Sequence, residues 1–164
     1  MMGTIFSEDR LYRYTLSRKW VPDVAPRFIN FILLNPSTAD ETQDDPTIRR
    51  CIGFAKREGF GAMVVTNIFA FRATKPHDLM KALDPIGLAN DSYLLEVAQL
   101  AGGVILGWGN HGAFKGRDIH VFTLLGGNSV HPYVLGWTKA MQPKHPLYLR
   151  NDAPLQVVKL RAGK

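Results

Sequence analysis

The chain has little cysteine and no long apolar run, and both absences exclude classes of protein. Cys51 is the only cysteine among 164 residues, so no disulfide can form within the chain, which suits a reducing cytosol. No apolar stretch approaches the roughly 18 residues that a membrane span needs. The N-terminus lacks a basic region followed by an apolar stretch, so we expect no signal peptide. We therefore expect a single cytoplasmic domain over residues 1–164 that does not enter a membrane.

The sequence also lacks the spacings that mark metal and cofactor sites. The five histidines are not spaced as metal ligands, and the single cysteine has no partner. Neither a P-loop nor a dinucleotide-binding fingerprint is present. The GxSxG and Cys-His signatures of nucleophilic hydrolases are absent as well. We therefore expect neither a metal nor a resident cofactor.

Acidic residues are fewer than basic ones, 14 against 20, which gives a net charge of +6. Four of the acids cluster between Asp40 and Asp45, so the rest of the chain is more basic still. This balance favours polyanions as partners, and nucleic acid is the most common of them. The same charge also serves solubility alone, and both interpretations stay open.

Apolar runs alternate with helical patterns along the chain. Four runs are typical of strands buried on both faces, residues 28–34, 62–66, 104–108 and 134–137. Caps and periodicity predict helices over residues 46–58, 76–83, 86–100 and 115–125, the third with Leu88, Leu95 and Val97 facing inward. Residues 11–20 and 155–160 are predicted as further strands. The pattern predicts a three-layer α/β/α fold with a short, mostly parallel central sheet.

Polar loops follow the ends of these strands, and parallel strands bring such loops to one edge of the sheet. Asn35 follows the first apolar run, and its amide can hold a water or one edge of a ligand. After Pro36, the residues Ser37 and Thr38 offer hydroxyl and backbone N–H groups to a phosphate. The same residues also fit a turn that only redirects the chain.

Asn67 ends the second apolar run and is followed by Phe69 and Phe71. Aromatic rings beside an amide fit a pocket in which the rings stack on a base and the amide reads its edge. An asparagine that only satisfies loop backbone fits the same pattern.

The stretch Trp108-Gly109-Asn110 ends the third run, and glycine there lets the backbone approach a ligand closely. His145 lies in a final irregular segment and is placed to donate a hydrogen bond to developing negative charge, although an exposed loop histidine fits equally. Basic residues flank these loops and are candidates for contacts to a nucleic-acid backbone: Arg72, Lys115, Arg117, Lys139 and Lys144.

Two resemblances accompany these motifs. The segments RYTLSRKW, LLNPSTAD, DDPTIRR, TNIFAFRAT and PKHPLYL resemble a bacterial and phage family with a domain of unknown function, over nearly the whole chain. More distantly, the chain is similar to the uracil-DNA glycosylase superfamily. That similarity rests on residues 34–37, 64–67, 104–109 with 115–116, and 145–147.

The second resemblance implies roles for single residues. Asn35 would position the attacking water, Asn67 would read the flipped base, and His145 would stabilise the departing base anion. Residues 39–50 contain no aromatic residue to stack on the base, and Leu147 and Tyr148 replace the serine and proline that usually follow His-Pro. Two functions therefore stay open: hydrolysis of an N-glycosidic bond in a nucleic acid or nucleotide, and non-catalytic nucleotide or nucleic-acid binding on the same scaffold.

Overall fold

The computed structural model describes residues 3–159, which form a seven-stranded sheet and four α-helices. The strands are β1 Ile5–Phe6, β2 Arg13–Lys19, β3 Phe28–Leu33, β4 Ala62–Asn67, β5 Gly103–Leu106, β6 Tyr133–Val134 and β7 Gln156–Val157. The helices are α1 Pro46–Arg57, α2 Pro76–Lys81, α3 Asn90–Leu100 and α4 Arg117–Gly126. Two 3₁₀ segments, Asn110–Gly116 and Pro146–Tyr148, lie in loops.

The α/β class predicted from the sequence is confirmed, but the sheet is mixed and it is not short. Its order is β1-β2-β4-β3-β5-β6-β7. The four strands β4, β3, β5 and β6 are parallel, whereas β1, β2 and β7 pair antiparallel at the two edges. Every residue of β3 and β4 is buried, as continuous apolar runs predict for strands covered on both faces. The two-residue strand β1 is too short to leave a sequence pattern, whereas β7 lies within the stretch 155–160 that was predicted as a strand.

Helices cover both faces of this sheet. Helix α1 packs Ile48, Cys51 and Phe54 against one face, and α2, α3 and α4 pack Leu79, Leu94 and Val121 against the other. Asp45 caps α1 by accepting a hydrogen bond from the Ile48 N–H at 2.9 Å, and Pro46 occupies the first turn. The local sequence thus determines where α1 begins.

The connections place a crevice between β3 and β5. From β3 the chain crosses through α1 to β4 on one side, and from β4 it returns through α2 and α3 to β5 on the other side. Such a reversal of direction leaves a gap beyond the carboxyl ends of the two strands, where ligands bind in open α/β sheets. The loops after β3 and β5 are those that begin at Leu34 and at Gly107.

Helix α3 begins later than its apolar pattern indicates. Asp84 accepts hydrogen bonds from the N–H groups of Ile86 and Gly87, both at 3.1 Å, and this turn delays the helix to Asn90. Leu88 is consequently fully exposed, which corrects its predicted inward position, whereas Val97 is buried.

Two other boundaries differ from the sequence pattern. The strand predicted at 134–137 is shorter, since the chain leaves β6 after Val134. Of the strand predicted at 155–160, β7 occupies only two residues, and Leu160 lies outside the described residues. Within residues 3–159, every helix is too short or too polar to cross a bilayer.

Candidate functional site

A cleft of about 610 Å³ lies at the carboxyl ends of the parallel strands. Its walls come from the loops after β3, β4 and β5 and from residues 138–148. The predicted site residues that it brings together are Asn35, Ser37, Thr38, Asn67, Trp108, Gly109, Asn110, Lys144 and His145. Pro36 is buried beside them, and its carbonyl accepts from the N–H of Ala73 at 3.0 Å.

Asn67 ends β4 at the floor of this cleft and is 1% exposed. Neither its Nδ2 nor its Oδ1 has a hydrogen-bond partner among the described residues. Leaving a buried polar group unsatisfied costs about 1–3 kcal/mol. This amide therefore has one donor group and one acceptor free for a ligand.

Asn35 is oriented by its own loop. Its Nδ2 donates to the carbonyl of Ala73 at 2.7 Å and to that of Pro36 at 3.0 Å. Both amide hydrogens are thereby used, and no described residue donates to Oδ1. The side chain presents an acceptor to the cleft and can hold a water molecule there.

His145 is held in one tautomer. Its Nδ1 accepts a hydrogen bond from the Leu147 N–H at 3.2 Å, so the ring proton lies on Nε2. Burial lowers the pKa of His145, and the carboxylate of Asp45 opposes that shift. The imidazole is thus neutral at pH 7 and offers an N–H donor.

A network of side chains fixes the loop after β5 to the segment over it. Trp108 Nε1 donates to Gln142 Oε1 at 2.9 Å, and Gln142 Nε2 donates to Asp118 at 2.8 Å. The N–H of Gly109 donates to the carbonyl of Pro143 at 2.8 Å. Gly109 has φ 73° and ψ −171°, a conformation that only glycine adopts readily. The wall of the cleft is therefore prearranged.

Among the residues that line the cleft but were not predicted to do so are Arg13, Asp45 and Tyr148. Arg13 is 2% exposed, and an arginine at the start of a strand gives no sign of burial. Asp45 had been explained by its capping role alone. Tyr148 is 75% exposed, and its ring centroid lies 5.9 Å from that of His145. The exposed ring supplies an aromatic surface at the mouth.

The aromatic residues predicted beside Asn67 lie elsewhere. Phe69 is fully buried and packs on Phe114, with 5.7 Å between ring centroids. Phe71 packs against Tyr12 at 5.7 Å. Neither ring lines the cleft, because the chain turns inward after β4 and passes its side chains to the α3 and α4 layer.

The basic residues predicted to contact a backbone separate into two groups. Arg117 is buried, bonds Asp91 and donates to the carbonyl of Ile68 at 2.6 Å, so it joins helices and is not available to phosphates. Arg72 lies over the Phe6 ring at 4.8 Å, away from the cleft. Lys144 lines the cleft, and the exposed Lys139 follows Thr138, which also lines it. Lys115 is exposed as well, but neither it nor its chain neighbours line the cleft.

Arginines of the β2 region pair with two of the four acids in loop 40–45. Arg18 bonds Asp44 at 2.7 Å and Arg10 bonds Glu41 at 2.8 Å. Asp40 Oδ1 accepts from the N–H groups of Thr42 and Gln43, which lowers the pKa of that carboxyl. Among residues 3–159, no group of three or more His, Cys, Asp or Glu side chains is placed to hold a metal ion.

Comparison with known protein families identifies the family of this chain. Residues 13–147 match the family described as protein of unknown function DUF1643. The chain belongs to the DUF1643 family. Curated proteins and solved structures gave no match. The match runs from Arg13 to Leu147 and so covers the cleft-lining residues apart from Tyr148.

Proposed function

We propose that this DUF1643 domain recognises a nucleobase or nucleotide in the cleft, with Asn67 reading the edge of the base. The observation that carries the proposal is the buried Asn67 amide, which lines the cleft with both polar atoms unpartnered among the described residues. A donor beside an acceptor matches the alternating pattern on the edge of a base. The position beyond parallel strand ends agrees with where such sheets bind ligands.

Tyr148 supports a ligand with a flat ring. Its exposed side chain stands at the cleft mouth beside Leu147, which is 41% exposed. Stacking a base on an aromatic side chain contributes about 1–3 kcal/mol. This ring compensates for the lack of aromatic residues between 39 and 50.

The catalytic form of the proposal is hydrolysis of an N-glycosidic bond, as the resemblance to uracil-DNA glycosylases implies. Water adds to the anomeric carbon as the bond to the base nitrogen breaks, and the base leaves with the bonding electron pair. The proton that the water loses passes through solvent to the departed base. The free Oδ1 of Asn35 suits holding the water, and the Nε2–H of His145 suits donating to the base oxygen as charge builds. No metal or cofactor enters this scheme.

Non-catalytic nucleotide or nucleic-acid binding on the same scaffold is the second candidate. It is favoured by the capping role of Asp45, whose Oδ1 is already used by the Ile48 N–H, and by the inability of Asn35 to take a proton from water. In this form the same contacts by Asn67 and Tyr148 hold the ligand, and no bond breaks.

Two assays distinguish these forms. Calorimetry with nucleosides and nucleotides measures binding, and chromatography of oligonucleotides that contain uracil, hypoxanthine or a mismatch measures free base. Asn67→Asp should change which base is accepted. Asn128→Asp, at an exposed asparagine just beyond the end of α4, should not. Binding without base release supports the second form, and absence of both contradicts the proposal.

A further inference from the structure

We infer that Arg13 is a binding residue for an oxyanion of the ligand, and that the cleft takes a small molecule with a terminal phosphate or carboxylate, foremost a free nucleotide. The inference names the ligand class of the proposed nucleotide site and so rests on that proposal. It begins from a buried cation that the fold leaves without a counter-ion.

Arg13 is 2% exposed and lines the cleft. One of its guanidinium nitrogens, Nη1, donates to the carbonyl of Ala39 at 3.0 Å. Neither Nε nor Nη2 has an acceptor among residues 3–159, and Nε is fully buried. Burial lowers the pKa of Arg13 to about 10, so the side chain is still charged at pH 7.

The two unpartnered nitrogens lie on the same edge of the guanidinium plane. Together they form a fork of parallel N–H groups that matches two oxygens of a phosphate or carboxylate. Arg13 thus offers the part of an arginine best suited to an oxyanion, and the bond to Ala39 holds the plane in position.

The nearest acid does not use this fork. Asp45 lies near enough to oppose the shift in the pKa of Arg13, yet within residues 3–159 no ion pair joins the two side chains. Asp45 Oδ1 accepts instead from the Ile48 N–H. Its charge weakens an anion's binding but leaves the donors of Arg13 free.

The burial of Arg13 favours terminal phosphates over phosphodiesters. A phosphodiester needs room for a chain to enter and to leave, which a side chain with 2% exposure does not provide. A terminal group needs only one path. Arg13 begins β2 and so lies next to the carboxyl end of β4, since β2 and β4 pair antiparallel. One ligand can therefore reach both Arg13 and Asn67.

The experiment compares matched ligands on the full chain. Calorimetry measures the four ribonucleosides and their 5′-monophosphates, with inorganic phosphate and acetate as bare anions and a short oligonucleotide without a terminal phosphate. For one base, we expect the monophosphate to bind at least tenfold more tightly than the nucleoside and than the oligonucleotide. Whichever bare anion binds identifies phosphate or carboxylate as the group.

Variants assign the effect to Arg13. Arg13→Gln should abolish the difference between nucleotide and nucleoside, and Arg13→Lys should retain only part of it. Arg27→Gln is the control, because this exposed arginine directly precedes β3 at the end of the strands opposite the cleft, over Phe60 at 4.8 Å. If Arg13→Gln does not fold, the ¹⁵Nε–H signal of Arg13 in the wild-type protein should shift when phosphate or acetate is added.

The outcomes separate this inference from the proposed function. Equal affinity for nucleosides and nucleotides, with an unmoved Arg13 signal, overturns the role of Arg13 and leaves base recognition standing. Bare anions that shift the Arg13 signal, while bases add no affinity, support Arg13 and overturn base recognition. If no ligand binds and the signal does not move, both are overturned.

Discussion

Three buried asparagines show what separates a structural amide from a binding one. Asn30 Nδ2 donates to the Val64 carbonyl at 3.0 Å and to Thr66 Oγ1 at 3.2 Å. Asn90 Nδ2 donates to the carbonyl of Asn67 at 2.8 Å. Asn67 itself has no side-chain partner among the described residues. Asn30 and Asn90 thus bond through Nδ2 and leave only Oδ1 without a partner, whereas both polar atoms of Asn67 have none among the described residues.

Asn67→Leu should therefore stabilise the ligand-free protein. Removing an unsatisfied buried amide recovers about 1 kcal/mol of its desolvation cost, which for this chain length raises the Tm by roughly 2–4 °C. Asn30→Leu should instead destabilise the protein by about 1–3 kcal/mol, because the acceptors of its Nδ2 would lose their hydrogen bonds. Urea unfolding measures both. Equal losses in the two variants would show that Asn67 is structural.

His145 should make stability depend on pH. Burial lowers its pKa in the folded protein below the ordinary 6.5, so the unfolded chain binds the proton more readily. The contribution is present above pH 6.5 and is lost as pH falls through the folded pKa. His145→Gln should therefore reduce the pH dependence of the unfolding free energy over that interval. His77→Gln should not, because the His77 side chain is 71% exposed. An unchanged profile in His145→Gln would refute the burial effect.

Residue identity predicted much of the candidate site. Asn35, Asn67 and His145 were found because polar residues after apolar runs must lie at one edge of a parallel sheet. Arg13 and Tyr148 were not predicted to line the cleft. Arg13 reaches it because β2 pairs with β4 across the sheet, and Tyr148 reaches it because it lies in a 3₁₀ turn. Phe69 and Phe71 were misplaced, since aromatic residues after a strand pack wherever the chain turns.

At the scale of elements, the wall of the cleft depends on a close contact between Trp108, after β5, and Gly112. A Cβ at Gly112 would lie 2.0 Å from Trp108 Cδ1, so the indole ring occupies the space of any side chain there. The ring in turn bonds Gln142 at 2.9 Å. Displacing Trp108 would therefore move the segment that carries His145.

Gly112→Ala should destabilise the protein by about 1–3 kcal/mol, as overpacking does, and should weaken ligand binding. Gly53→Ala is the matched control. Gly53 lies within α1 with no atom near its absent Cβ, so alanine there should stabilise by about 0.5–1 kcal/mol. Thermal unfolding and calorimetry measure both variants. A Gly112→Ala protein that keeps its stability and binding would mean that the indole ring is free to move.

The sequence predicted interior elements better than edges. Strands β3 and β4 follow from runs buried on both faces, and α1 follows from Asp45 and Pro46. At the edges, β1 was missed because it has only two residues, and β7 was predicted too long, since it occupies two residues of the stretch 155–160. Leu88 was misassigned because a turn at Asp84 replaced the first helical residues.

At the scale of the whole molecule, ion pairs occupy some of the acidic side chains and leave several lysines without a counter-ion. Of the acids in loop 40–45, Glu41 pairs with Arg10 and Asp44 pairs with Arg18. Lys144 in the cleft and the exposed Lys115 and Lys139 form no ion pair among the described residues. These three lysines are free to meet an anionic polymer. Lys144 lines the same cleft as Arg13, but none of the three is buried as Arg13 is.

The two kinds of anion binding should respond differently to salt. Single-stranded nucleic acid held by surface lysines releases about 0.7 counterions per phosphate contact, so replacing Lys115, Lys139 and Lys144 by glutamine should reduce the slope of log affinity against log salt by roughly 2. Lys19→Gln, at the opposite end of β2, should leave the slope unchanged. A mononucleotide on Arg13 should depend less on salt, because buried charges are screened weakly. Fluorescence anisotropy at salt concentrations from about 50 to about 200 mM measures the affinity of the protein for each ligand. Equal slopes for polymer and mononucleotide would place both on one exposed surface and would contradict a separate buried site.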